Sequence, residues 1–249
     1  GAPNWDNSKD TNNDGSLETI VDQGRAFVFD LVGTSWVRVA RLTADGGLPR
    51  SAAALEGKAT DHFGSAVALD GAGGGATVVV GAPGYDGDAL DQGAAYAFYA
   101  LADQGSSTGS SWLRASGLSG SGRLTAEQPT GATPAGGSVP SEYLTADRFG
   151  SSVVVGGGRI VVGLPGYNLT DGSGTAQIFD LGAVRTFTPG ASVSVAPYAP
   201  NSTLPAPAEI SASTSTSTSG QFGSETAYEP NSRTLFVAAP GDNKVGVYV

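Results

Sequence analysis

The stretch Asp61-His-Phe-Gly-Ser65, answered downstream by Val78-Val-Val-Gly-Ala-Pro83, decides the fold because both halves recur. Phe-Gly-Ser returns at Phe149-Gly150-Ser151 and at Phe222-Gly223-Ser224. Each copy leads through an apolar run into a Gly-Ala-Pro-like phrase, at Gly163-Leu164-Pro165 and Ala238-Ala239-Pro240, and the sequence opens on Gly1-Ala2-Pro3. A third phrase sets aromatics on alternate positions after glycine: Gly24-Arg-Ala-Phe-Val-Phe29, Gly93-Ala-Ala-Tyr-Ala-Phe98 and Gly174-Thr-Ala-Gln-Ile-Phe179, with Val245-Gly-Val-Tyr-Val249 as a looser copy. A fourth closes the unit: Trp36-Val-Arg-Val-Ala-Arg-Leu-Thr-Ala44, then Arg123-Leu-Thr-Ala126 or Tyr143-Leu-Thr-Ala146, then Glu209-Ile-Ser-Ala212.

Phrases repeated in fixed order imply one supersecondary unit repeated along the chain. Each unit reads as four short strands. A strand buried on both faces is a continuous aliphatic run, as Val78-Val-Val80 and Ile160-Val-Val162 are. Alternating aromatics, Phe27/Phe29 and Tyr96/Phe98, place their rings on one face of a strand. Glycine after phenylalanine permits close backbone approach. The 38 glycines in 249 residues, with no three-residue period, fit abundant turns between short strands.

These phrases resemble the FG-GAP repeat of integrin α-subunit propellers and of many bacterial extracellular proteins, the bacterial form most closely. The resemblance rests on Trp36, Leu42-Thr-Ala44, Asp61-His-Phe-Gly-Ser65 and Val78-Val-Val-Gly-Ala-Pro83. It implies an all-β, β-propeller-like array of four-stranded blades, and it covers the chain apart from expected insertions near 103–140 and 183–207. One repeat domain over 1–249 is expected, with units of approximately 1–60, 61–146, 147–219 and 220–249. Two of these units are full and two incomplete, short of the roughly four to eight blades that close a propeller. Three readings follow: a piece of a larger propeller, two partial units completing one blade, or exposed edges completed by a neighbouring molecule. The last would propagate as a filament.

Charge and composition narrow the function. Twenty-three acidic residues against thirteen basic ones give a net charge of −10, which excludes nucleic acid as the expected partner. No run reaches the ~20 apolar residues of a membrane-spanning helix. The absence of cysteine removes disulfides, thiol catalysis and thiolate metal sites. His62 is the single histidine, and no spacing of Ser, His and Asp marks a hydrolase triad.

The densest polar cluster runs from Asp6 to Glu18. Asp10, Asn12, Asp14 and Glu18 occupy the first, third, fifth and ninth places of an oxygen-ligand loop, with Gly15 at the sharp turn and Ser16 among the candidate ligands. Ca²⁺ is the expected ion, against a solvated Asx-rich turn. The family's calcium loops lie between the first two strands, where this sequence lacks their pattern, so that role transfers poorly. Asp86-Gly-Asp88-Ala-Leu-Asp91 is a second acidic loop, read as a solvated tip. Asn168-Leu-Thr170 and Asn201-Ser-Thr203 are candidate glycosylation sequons, and Ser211–Ser219 alternates Ser and Thr. Pro189–Pro207 reads as an extended surface connection.

The expected function is a non-enzymatic extracellular or cell-surface structural or adhesion protein, self-associating or bound to neighbouring propeller blades. The alternatives are a calcium-dependent propeller binding protein or carbohydrate ligands, and an accessory domain of an enzyme.

Overall fold

The structure, a computed structural model, describes residues 1–9, 14–45, 57–71, 76–87, 89–100, 112–114, 123–125, 146–167, 169–170, 176–178, 182–189, 198–205 and 220–248. Among them the fold is all-β, with a single 3-10 turn at Pro240–Asp242. No helix of the described residues is long and apolar enough to cross a membrane.

Four sheets follow one another along the chain. The first pairs β3 (Ala26–Val32) with β4 (Ser35–Leu42), preceded by a small hairpin of β1 (Asn7–Lys9) and β2 (Glu18–Ile20). The second runs β5 (Val67–Asp70), β6 (Thr77–Ala82), β7 (Ala94–Ala100), and then both β8 (Trp112–Arg114) and β9 (Arg123–Leu124) against β7. The third runs β10 (Ser152–Gly156), β11 (Arg159–Leu164), β14 (Ala183–Pro189) and β15 (Tyr198–Pro205), with a hairpin of β12 (Leu169–Thr170) and β13 (Ala176–Ile178) set off from it. The fourth is β16 (Thr226–Glu229), β17 (Thr234–Ala239) and β18 (Lys244–Tyr248).

The aliphatic runs lie where burial on both faces demands them. β6 and β11 are buried at every position after the first, and each is flanked by two partners. Three apolar clusters fill the spaces between successive sheets. Val28 and Leu42 meet Phe63, Val80 and Tyr96. Val79 and Ala97 meet Phe149, Ile160 and Phe187. Val161 and Val184 meet Phe222, Leu235 and Val237. Each full sheet therefore faces its predecessor with one side and its successor with the other.

Three sequence expectations are corrected. The third strand of the third unit is β14, not 174–179, because Gly182 makes the contact with Phe222 that Gly24 makes with Phe63 and Gly93 with Phe149. Ala176–Ile178 belongs instead to the side hairpin. The proline-rich segment 189–207 is not a plain connection, since Tyr198–Pro205 forms a ladder with β14. It is an edge strand, the one place in a sheet that tolerates proline without breaking a second ladder. Nor are 103–140 and 183–207 simple insertions, because both contribute ladder strands.

Register explains β8 and β9. Ala95 pairs with Leu124 as Ala26 pairs with Leu42, and Phe98 pairs with Arg114 as Phe29 pairs with Arg38. β8 and β9 are thus one fourth strand, interrupted by 115–122 where the first sheet has only Val39 and Ala40. Glu209–Ala212 and Ser211–Ser219 lie outside the described residues.

Candidate functional site

The repeated feature with most chemistry is the junction between sheets. A parallel bridge joins the glycine before each third strand to the phenylalanine of the next Phe-Gly: Gly24 to Phe63, Gly93 to Phe149, Gly182 to Phe222. At the first junction the Phe63 N–H donates to Gln23 O (3.0 Å) and the Gly64 N–H to Gly81 O (2.9 Å). At the second, the Phe149 N–H donates to Gln92 O (3.0 Å) and the Gly150 N–H to Gly163 O (3.0 Å). Glycine is required where backbones touch. Gly93 has φ +83°, and a Cβ there would lie 2.2 Å from Phe149 O. A Cβ on Gly81 would lie 1.9 Å from Gly150 O. The phenylalanine ring then enters an aromatic cluster: Phe63 sits 5.4 Å from Tyr96 and 6.2 Å from Phe98, while Phe149 packs edge-on to Phe187 at 6.1 Å.

Buried polar groups line the same junctions. Asp61 is fully buried; its Oδ2 accepts the Lys58 N–H (2.7 Å) and its Oδ1 has no hydrogen-bond partner among the described residues. Burial pushes its carboxyl up to about 7, against the opposing pull of the Lys58 N–H and ammonium. Asp147 holds the equivalent buried place in the next unit, and burial together with Asp147 raises the Tyr167 phenol above its ordinary value. Nothing in the sequence marks either aspartate as buried, since Asp-x-Phe-Gly reads there only as a marker of strand order. His62 and Arg148, between each aspartate and phenylalanine, adopt φ of +54° and +55°. His62 accordingly lies in the segment ahead of β5. Its carbonyl accepts the Ser65 Oγ (2.8 Å).

The acidic loops divide by role. Asp6 Oδ1 accepts the Asp22 N–H (2.9 Å) and Asp86 Oδ1 accepts the Asp91 N–H (2.8 Å), so each pins the loop that leads into a third strand. The sequence signal was available in Asp22-Gln-Gly24 and Asp91-Gln-Gly93, and Asp180-Leu-Gly182 is its third copy. Of the proposed calcium ligands, Asp10 and Asn12 lie outside the described residues. Asp14 and Ser16 fall in the connection between β1 and β2, where Asp14 Oδ1 accepts the Ser16 N–H (2.7 Å), and Glu18 opens β2. Among the described residues no three His, Asp or Glu side chains gather as a metal site. Asn168 lies outside the described residues, and Asn201 falls within β15.

One sheet face stands apart. Pairing of Phe27 with Arg41, Phe29 with Arg38 and Leu31 with Trp36 puts all six on the side of the first sheet away from the second. Phe29 is 49% exposed, whereas Phe98, at the same register in the second sheet, is 1% exposed, and Trp36 is 70% exposed. Trp5 packs edge-on to Phe27 at 5.9 Å, the Arg25 guanidinium lies 4.9 Å above Trp5, and that of Arg38 5.7 Å above Phe27. Together they line an open pocket of about 480 Å³. Desolvation and the nearby Arg41 lower the Arg25 value, a sign that like charges crowd here. Among the described residues no carboxylate forms an ion pair with Arg25, Arg38 or Arg41.

Comparison with known proteins agrees with the repeat. No curated protein matches the chain. Residues 36–98, which run from the fourth strand of the first sheet to the aromatic third strand of the second, match the family model described as FG-GAP repeat. Residues 36–98 are thus similar to one FG-GAP repeat, and they lie within an all-β series of sheets that repeats the same junction three times.

Proposed function

We propose that this chain is a non-enzymatic structural or adhesion module of the extracellular type, forming one repeat domain and working by stacking its sheets against further sheets, including those of other copies. An FG-GAP repeat is an extracellular-type repeat domain. The observation that carries the reading is the outer face of the β3–β4 sheet. It holds aromatic residues at the register positions that a preceding sheet covers elsewhere in the chain. Exposed apolar faces of this kind mark interaction surfaces. Electron microscopy and light scattering on purified chain test it: assemblies larger than one chain are expected, and single particles at every concentration would contradict it.

Calcium at Asp10, Asn12, Asp14, Ser16 and Glu18 is a second proposal, favoured by the β1–β2 hairpin that brings Lys9 opposite Glu18 and so closes the loop carrying these oxygens. Such an ion would brace that loop for ligand binding. Calorimetry with Ca²⁺ that registers no heat at millimolar concentration would remove it.

A further inference from the structure

We propose that the outer face of the β16–β18 sheet seats on the outer face of the β3–β4 sheet of a second copy, so that copies join head to tail. This rests on the structural reading above and names its partner surface.

Within the chain every junction works in the same way. The forward side of one sheet supplies small or aliphatic residues, and the rear side of the next supplies larger ones. Val79 and Ala97 meet Phe149 and Phe187. Val161 and Val184 meet Leu235, Val237 and Phe222. The β3–β4 sheet presents a rear side, with Phe27, Phe29 and Leu31, that no other sheet among the described residues covers.

The fourth sheet presents the matching forward side. Its inner face, with Leu235 and Val237, is committed to the third sheet. On the opposite face Ala227, Phe236 and Val247 stand in one row across three strands, with Val245 beside Ala238 in the next. Phe236 is 41% exposed, and Val245 and Val247 more so. Ala227, Ala238, Val245 and Val247 are of the small or aliphatic kind that the forward sides of inner sheets use, and Phe236 stands among them as a larger side chain.

Charge fixes which surface each one fits. Alternation along β16 puts Glu225 and Glu229 on the same exposed face as Ala227. Alternation along β18 turns Lys244 away from it. The β3–β4 face carries Arg25, Arg38 and Arg41 in a chain whose net charge is −10. Two acidic faces or two arginine faces would repel, so a symmetric pairing is disfavoured and the acidic face selects the basic one. Because the two surfaces differ, the contact is heterologous and extends to open-ended assemblies.

Sedimentation velocity with paired charge reversals tests this. Wild-type chain is expected to associate with rising concentration and to dissociate with rising salt. Arg38→Glu with Arg41→Glu, and separately Glu225→Arg with Glu229→Arg, should each weaken association by about tenfold or more. An equimolar mixture of the two should restore it, since each altered face then meets its complement. The second variant lowers the net negative charge, so general repulsion alone predicts stronger association where the proposal predicts weaker. Glu229 also accepts the Asn231 and Ser232 N–H groups of the β16–β17 turn, so Glu225→Arg is run alone as well, with a thermal melt to check folding. Wild-type chain that remains monomeric throughout would overturn both this proposal and self-assembly. Wild-type assembly that neither variant weakens would overturn these faces while leaving self-assembly intact.

Discussion

Phe27 and Phe29 in the first sheet stand where Tyr96 and Phe98 stand in the second, at the same ladder positions and on the same side. In the second sheet the rings are sealed under the first sheet and touch Phe63. In the first, Phe29 lies open and Phe27 is only partly covered, by Trp5 and Arg38, in a face that carries three arginines. The strand chemistry is the same, and only the neighbour differs. Burial in this chain is therefore a property of the junction rather than of the strand, and an uncovered copy of the same strand leaves its side chains at the surface.

The comparison breaks most visibly at its centre. Tyr96→Ala should cost about 3–5 kcal/mol by emptying a packed junction, whereas Phe29→Ala should cost under about 1 kcal/mol. Chemical denaturation of the two variants measures the contrast, and equal losses would mean that the first sheet is covered after all. Next in size is the backbone contact. Gly93→Ala places a Cβ against Phe149 O in a left-handed conformation and should cost about 3 kcal/mol. Gly33→Ala, also at positive φ but with open space around it, should cost about 1 kcal/mol.

Acidity sharpens the picture further. Asp61 holds its proton to about 7 in the folded chain, above the ~3.9 of an unfolded aspartate. The folded state binds that proton more tightly, so the contribution is full below the unfolded value and is lost as pH rises from ~4 through 7. Asp61→Asn should therefore raise stability at pH 8 by on the order of 2–4 kcal/mol and leave it nearly unchanged at pH 4. Thermal melts across that range read the effect, and a variant less stable at pH 8 would show that the carboxylate is stabilised by partners instead. The smallest change expected is Asp86→Ala, which frees the Asp91 N–H in a part-buried loop for about 1 kcal/mol.

Much of this was legible in the sequence, and the failures have physical causes. Phe63, Phe149 and Phe222 announce the repeat because a buried ring followed by a glycine against a carbonyl leaves little latitude in either residue. Gly174-Thr-Ala-Gln-Ile-Phe179 misled because alternation records which residues share a face, not which strand they join. Gly182 wins through its contact with Phe222, a tertiary fact signalled locally only by the Asp-x-Gly before it. Pro200 and Pro205 disguised β15, since proline argues against a strand everywhere except at a sheet edge. The exposed arginine face was invisible for a different reason. Phe27 and Tyr96 read alike in sequence, and nothing local says which one a neighbouring sheet will cover.

The repeated junction is the claim on which the rest depends, and amide hydrogen exchange tests it most directly. The Phe63 and Phe149 N–H groups, bonded to Gln23 O and Gln92 O, should both exchange only through unfolding of the whole chain, far more slowly than the exposed turn amide of Gly33. Fast exchange at either phenylalanine, comparable with that turn, would contradict the account.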